Sequence, residues 1–176
     1  LTACTHTFNS TVVTPDISGA GVFNVNGATM TVSAATSVDK LTLTSGTING
    51  GSALTVDTAF AWSGGTQSGA GSTTVPAAAA LTISGSQTLD ARTLNQQSTT
   101  ATWSGNGTLT LQNGAVVNNS GTLTATGDGA ITAANSVGGT FNNSGSFVKS
   151  TGVGVTTLTS DCCRSLTFNN TGLVDV

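Results

Sequence analysis

The sequence predicts an all-β chain wound as a parallel β-helix, or β-solenoid, and three observations point there. Short runs alternate apolar and polar residues with period two between Gly and Asn-Gly turns. An Asn-Asn-Ser/Thr-Gly motif recurs at a spacing that suits one coil. Charged residues make up 6% of the 176 residues, against roughly a quarter in an ordinary soluble domain, so the surface must be built from hydroxyls and amides.

The runs that read as strands are Leu41-Thr42-Leu43-Thr44, Ala53-Leu54-Thr55-Val56, Leu81-Thr82-Ile83, Gly107-Thr108-Leu109-Thr110-Leu111 and Gly121-Thr122-Leu123-Thr124. Each places aliphatic side chains on one face and Thr on the other, and only the aliphatic face gains by burial. Helix is not expected: Ala77 to Ala80 is too short, follows Pro76 and leads into a strand pattern. Residues 1–176 are expected to form one solenoid domain, with less regular coils over 1–40 and clear repeats over 41–176.

The repeat is carried by Val117-Asn118-Asn119-Ser120-Gly121, Phe141-Asn142-Asn143-Ser144-Gly145 and Phe168-Asn169-Asn170-Thr171-Gly172. These lie about 24 and 27 residues apart, while Trp62-Ser63-Gly64 and Trp103-Ser104-Gly105 lie about 41 apart, or roughly two coils. Asn tolerates left-handed backbone at a corner, and its amide can bond to the equivalent Asn one coil away, so Asn118, Asn119, Asn142, Asn143, Asn169 and Asn170 are expected to form corner ladders. The competing reading is turn chemistry in a β-sandwich, which rarely repeats a turn sequence so closely. At roughly 20 residues per coil the chain makes about eight or nine coils, stacked over about 40 Å. Val, Leu, Ile, Phe8, Phe60, Phe141, Phe147, Phe168 and both Trp are expected to fill a narrow core.

The strings WSGG, LTISG, VVNNSGTL, FNNSGSF and FNNTGLVDV resemble the repeats of very large secreted bacterial proteins, including autotransporter-like and other surface adhesins. The resemblance covers most of the chain from Leu41 onward. It implies a right-handed coil, export to the cell surface and a stalk or adhesive role. Its motifs are structural, so it carries over no catalytic or binding residue.

Cys4, Cys162 and Cys163 are an odd number of cysteines in a chain read as extracellular. In a solenoid Cys4 sits near one end and Cys162/Cys163 near the other, beyond the roughly 7 Å that a disulfide allows between α-carbons. The expected candidates are therefore inter-subunit disulfides, set against buried thiols and an incidental vicinal pair. The ends resemble each other, Thr7-Phe8-Asn9-Ser10-Thr11 against Thr167-Phe168-Asn169-Asn170-Thr171, and no polar cap is evident after Leu173. Both fit either a fragment of a longer solenoid or copies stacked end to end, a heterologous contact that generates fibres. A start at Leu1 without Met fits a processed or excised segment whose export signal has been removed.

Charge and chemistry limit the remaining readings. Seven Asp face four bases, Lys40, Arg92, Lys149 and Arg164, giving a net charge of −3 with no basic run for nucleic acid. No apolar stretch approaches the roughly 20 residues of a membrane span. Cleavage of a polysaccharide needs paired carboxylates, and only Asp39 and Asp57, beside Lys40, are placed about one coil apart. His6 is the sole histidine and leaves only a Cys4/His6 pair for a metal. No catalytic residue, metal or cofactor is assigned, and the chain is not read as an enzyme. Sequons at Asn118, Asn142 and Asn169 fall inside the repeated motif and follow from turn chemistry. Ice binding is the sharper alternative, resting on Thr29/Thr31, Thr42/Thr44, Thr108/Thr110 and Thr122/Thr124, but these pairs skip coils, and Thr is also a common β-former on a solvated face. The expectation is an extracellular structural protein: a self-stacking filament subunit or a stalk module of a surface adhesin. Its partner would be another copy or more of the same chain, with surface glycans as a possible ligand of the adhesin.

Overall fold

The structure, a computed structural model, describes residues 5–8, 12–14, 21–160 and 163–176. Among them there is no helix, and every strand pairing is parallel. The chain is a parallel β-solenoid, as its alternating patterns require: strands buried on one side only by their own coil must be covered above and below by neighbouring coils.

Two sheets, of fourteen and eight strands, make three faces. The larger sheet is creased, because the long strands Thr36–Leu43 and Ala53–Trp62 each run across two faces. The first part of Ala53–Trp62 pairs with Ser72–Val75 and its last part with Ala80–Ser84. Burial breaks at the crease, where Asp57 and Thr58 are both exposed between buried Val56 and Phe60. Face 1 continues through Thr93–Gln96, Ala115–Asn119, Gly139–Asn143 and Leu166–Asn170. Face 2 begins with Thr5–Phe8 and Val22–Val25 and continues past Ala80–Ser84 through Ala101–Ser104, Thr122–Ala125, Ser146–Lys149 and Leu173–Asp175. Face 3 is the eight-stranded sheet: Val12–Thr14, Thr29–Val32, Thr47–Asn49, Thr66–Ser68, Gln87–Asp90, Thr108–Gln112, Ala130–Ala134 and Thr157–Thr159.

About six turns carry a strand on all three faces, with partial turns at either end, fewer than the eight or nine coils expected from the sequence. The difference lies at the ends: face 2 carries nine strands and face 3 eight, but the first two coils have no described strand on face 1 and the last has none on face 3. Paired residues on adjacent rungs are 19 apart at Asp39/Thr58, 23 at Asn95/Asn118, 24 at Asn118/Asn142 and 27 at Asn142/Asn169. The coil thus lengthens toward the late end, while the number of rungs stays near that given by about 20 residues per coil.

The core is a set of inward columns. Phe23, Leu41, Phe60 and Leu81 follow one another on face 2, beside Val25, Leu43, Trp62, Ile83 and Trp103. All of them are buried. Phe141 stacks against Phe168 at 5.6 Å and meets Phe147 edge-on at 5.6 Å. The resemblance between the segments around Phe8 and Phe168 does not make them equivalent: Thr5–Phe8 lies on face 2 with Phe8 opposite Val25, whereas Phe168 lies on face 1 opposite Phe141.

Candidate functional site

The six asparagines singled out by the repeat form two parallel ladders on face 1. Asn95, Asn118, Asn142 and Asn169 point outward in register. Each amide donates to the rung before it: Asn118 Nδ2 to Asn95 Oδ1 at 2.9 Å, Asn142 to Asn118 at 2.8 Å and Asn169 to Asn142 at 2.8 Å. One residue on, Gln96, Asn119, Asn143 and Asn170 point inward, and their amides donate toward the following rung at 3.0, 2.6 and 2.7 Å. The two ladders thus run in opposite senses. In the inner one a second amide hydrogen also reaches a backbone carbonyl, Asn119 to Ser146 at 3.0 Å and Asn143 to Leu173 at 2.9 Å. Both amide hydrogens of Asn119 and Asn143 are thereby bonded, as burial favours, whereas Gln96 Oε1 at the ladder's start is buried with no bonded partner among the described residues. Gln96 pairs in register with Val75, so the same inward column is apolar in the early rungs and amide in the later ones.

The glycine that ends each motif is required by close approach. A Cβ on Gly121, Gly145 or Gly172 would stand 2.0–2.1 Å from a backbone carbonyl oxygen of the rung below. Left-handed backbone occurs instead at the corner from face 3 to face 1, where Ala91, Asn113 and Asn135 have φ of 54–55°. There Asn135 Nδ2 donates to Asn113 Oδ1 at 2.7 Å, and Asn113 Nδ2 to Asp90 Oδ1 at 2.6 Å.

Next to that corner lies Arg92, 0% exposed and buried without a carboxylate among its bonded partners. Its guanidinium donates to Thr73 Oγ1 and to the carbonyls of Gly50, Ser68, Ser52 and Ser72 at 2.8–3.4 Å. Burial pulls its pKa down to about 10, so it stays protonated at neutral pH. Nothing in the motifs marked this residue, although its place two residues before inward Leu94 puts it in the inward frame.

A longer series emerges on face 3. Thr29, Thr47, Thr66, Thr88, Thr110, Thr132 and Thr159 are successive register partners, one per rung, with no shift between them. The Thr-x-Thr pairs do skip rungs, since Thr42/Thr44 and Thr122/Thr124 begin on face 2, but one member of each of the seven face 3 strands from Thr29–Val32 onward keeps a single column unbroken. None of these seven hydroxyls bonds to another side chain or to backbone among the described residues. The flanking outward column is mixed, with Thr31 opposite Asn49 and then Ser68, Asp90, Gln112 and Ala134. At the late end a cavity of about 300 Å³ is lined by Thr110, Thr132, Thr159, Ser160 and Arg164 among others.

No family model matches the chain, and no curated protein or solved structure is similar to it.

Thr58 Oγ1 donates to Asp39 and Ser37 Oγ to Asp57, which laces the two carboxylates across the crease between faces 1 and 2. Lys40 stands in register with Val22 and Ala59 on face 2. No group of three His, Cys, Asp or Glu that could hold a metal occurs among the described residues. No helix there is long and apolar enough to cross a membrane. Cys4 and Cys162 lie outside the described residues, and Cys163 is exposed. The described tryptophans, which a glycan would need as a stacking surface, are buried at 0% and 2% exposure for Trp62 and Trp103, and the chain contains no Tyr.

Proposed function

We propose that this chain is a structural rod, a self-stacking filament subunit or stalk module of an extracellular bacterial fibre. The observation that carries the reading is the pair of amide ladders, which run along the solenoid axis rather than around a site. Each added rung extends both ladders, the apolar columns and the backbone bonds together, so axial growth is the direction in which this architecture gains stability. The last rung is chemically ready for another: Phe168 and Val174, in register with buried Phe141 and Phe147, are 38% and 39% exposed. Asn170 turns its amide to Gly172 O of its own rung, where Asn143 reaches Leu173 O of the next. Low charge and uncharged ladders favour close stacking of identical units.

The test is negative-stain electron microscopy and light scattering of the purified chain at rising concentration. Rods of constant width, with lengths in multiples of one unit, support the reading. Particles of single-chain length at every concentration overturn self-stacking. A non-reducing gel, run with and without reductant, separates cross-linking through Cys4, Cys162 or Cys163 from stacking alone.

A further inference from the structure

We infer that the threonine column of face 3 is a binding surface for ordered water, and that its macromolecular-scale ligand is the surface of ice. The argument begins with register. Seven Thr from Thr29 to Thr159 occupy one outward position on seven successive rungs, and parallel in-register pairing sets them about 4.8 Å apart along the axis. That repeat is close to an oxygen-to-oxygen repeat of the hexagonal ice lattice, so the column offers a growing ice layer a row of hydroxyls at nearly its own spacing.

Thr is also the side chain this task needs. Its hydroxyl donates and accepts one position in a water network, its methyl shields one side from competing orientations, and its branched Cβ holds few rotamers, so little entropy is lost when the layer forms. Because no protein group uses these seven hydroxyls among the described residues, their bonding capacity is directed outward. β-propensity alone does not explain the column. On face 2 the corresponding outward series is Asn24, Thr42, Ala61, Thr82, Thr102, Thr124, Val148 and Asp175, a mixture that serves a strand equally well.

Charge complementarity selects the partner. Within the column no residue is ionised, and Asp90, the one charge in the flanking column, is engaged by Asn113. A neutral array of hydroxyls neither attracts phosphate nor imposes the tight hydration shell that disrupts an ice surface. A neutral glycan is the competing occupant, but no aromatic ring is exposed on face 3 for a sugar to stack on. The surface extends from Thr29 to Thr159, with Ser160 and Arg164 beside its late end.

The test measures freezing-point hysteresis and ice-crystal shaping with the whole chain, alongside T88Y, T88V and T102Y. T88Y places a bulky ring mid-column, T88V removes one hydroxyl and keeps the shape, and T102Y alters face 2. The parent chain and T102Y are expected to shape ice, whereas T88Y loses roughly tenfold or more of the hysteresis, because a ring standing out of the column's centre breaks the contact where an interface gains most. T88V keeps the parent melting temperature, so its intermediate loss reports the hydroxyl rather than folding. Absence of hysteresis in the folded parent, equal losses in T88Y and T102Y, or Thr88-dependent retention on an insoluble neutral glycan without ice shaping each overturns the inference. All three leave the rod reading intact.

Discussion

Face 1 and face 3 are built from strands of the same coils, stacked in the same register, yet they treat their polar groups in opposite ways. On face 1 the outward amides of Asn118, Asn142 and Asn169 are bonded to one another, and the inward amides of Asn119 and Asn143 are bonded to each other and to the backbone. Face 3 leaves seven threonine hydroxyls without an internal partner among the described residues. Polar groups that satisfy each other lie on the stability side of the molecule, and polar groups left open belong to whatever meets the surface. A β-solenoid makes this division cheap, because one periodic frame places a chosen residue type at the same height on every rung.

The two faces meet at Arg92, and substitution there should have the largest effect. Its guanidinium spans from the carbonyls of Gly50 and Ser52 to those of Ser68 and Ser72, holding the corner between faces 3 and 1 across more than one rung. Arg92→Met fills the volume and leaves the acceptors bare, which should cost about 3–5 kcal/mol in urea unfolding, as breaking a buried charged network does. A cost below that of a surface change would mean that the carbonyls find other donors and that the corner is not held by the cation.

The inner ladder comes next. Asn143→Leu removes the donor to Leu173 O and Asn170 Oδ1 and the acceptor for Asn119. The expected loss is about 2–3 kcal/mol, since the fully buried Asn119 amide is left with an unmet hydrogen, whereas Asn170 and Leu173 O can turn to solvent. The outer ladder is wet, and Asn142→Ala, which breaks the bonds to Asn118 and from Asn169, should cost only about 0.5–1 kcal/mol. The ratio of the two sharpens the contrast within face 1 itself: ladders matter by burial, not by their number of bonds.

Face 1 was legible because its chemistry is written locally. Asn-Asn-Ser/Thr-Gly gives an outward amide, an inward amide and a glycine that clears the carbonyl below, all within one strand end. The threonine column was not legible, since its members are spread over coils of unequal length and share no local motif. Only the pairing decides that Thr66, in Thr66-Gln67-Ser68, stands between Thr47 and Thr88 while Gln67 turns into the core. Arg92 was hidden for another reason: composition marks a lone Arg as solvated, and its inward frame is set by Leu94 two residues later.

Acid separates one local contact from both ladders. Asp128 is held below its ordinary value of 3.8 by its hydrogen bond to Lys149, at 2.5 Å, with help from the Gly154 N–H. A carboxyl depressed in the folded state stabilises it above the unfolded pKa, and that contribution is lost as pH falls through the folded one. Melting temperature should therefore fall below about pH 4 in the parent chain, and Asp128→Asn should flatten that dependence. Neither amide ladder titrates, so the Asn142→Ala variant should show the parent's pH profile. An Asn142→Ala profile that differs from the parent would tie the ladder to ionisation and weaken the division drawn between the faces.

The smallest effect is the most telling for face 3. Thr66→Val and Thr88→Val keep the branched Cβ, the volume and the strand preference, and remove only a hydroxyl that no described group bonds to. If the column were structural, the double change would cost stability in the way the outer asparagine ladder does. It is expected to stay within about 0.5 kcal/mol of the parent in urea unfolding, the range of surface substitutions that break nothing. Val is as good a strand former as Thr, so a small gain is as acceptable as a small loss. A loss as large as that of Asn142→Ala would show that these hydroxyls act within the fold through bound water. The contrast between a self-bonded face and an open one would then reduce to two ways of holding the same coil together.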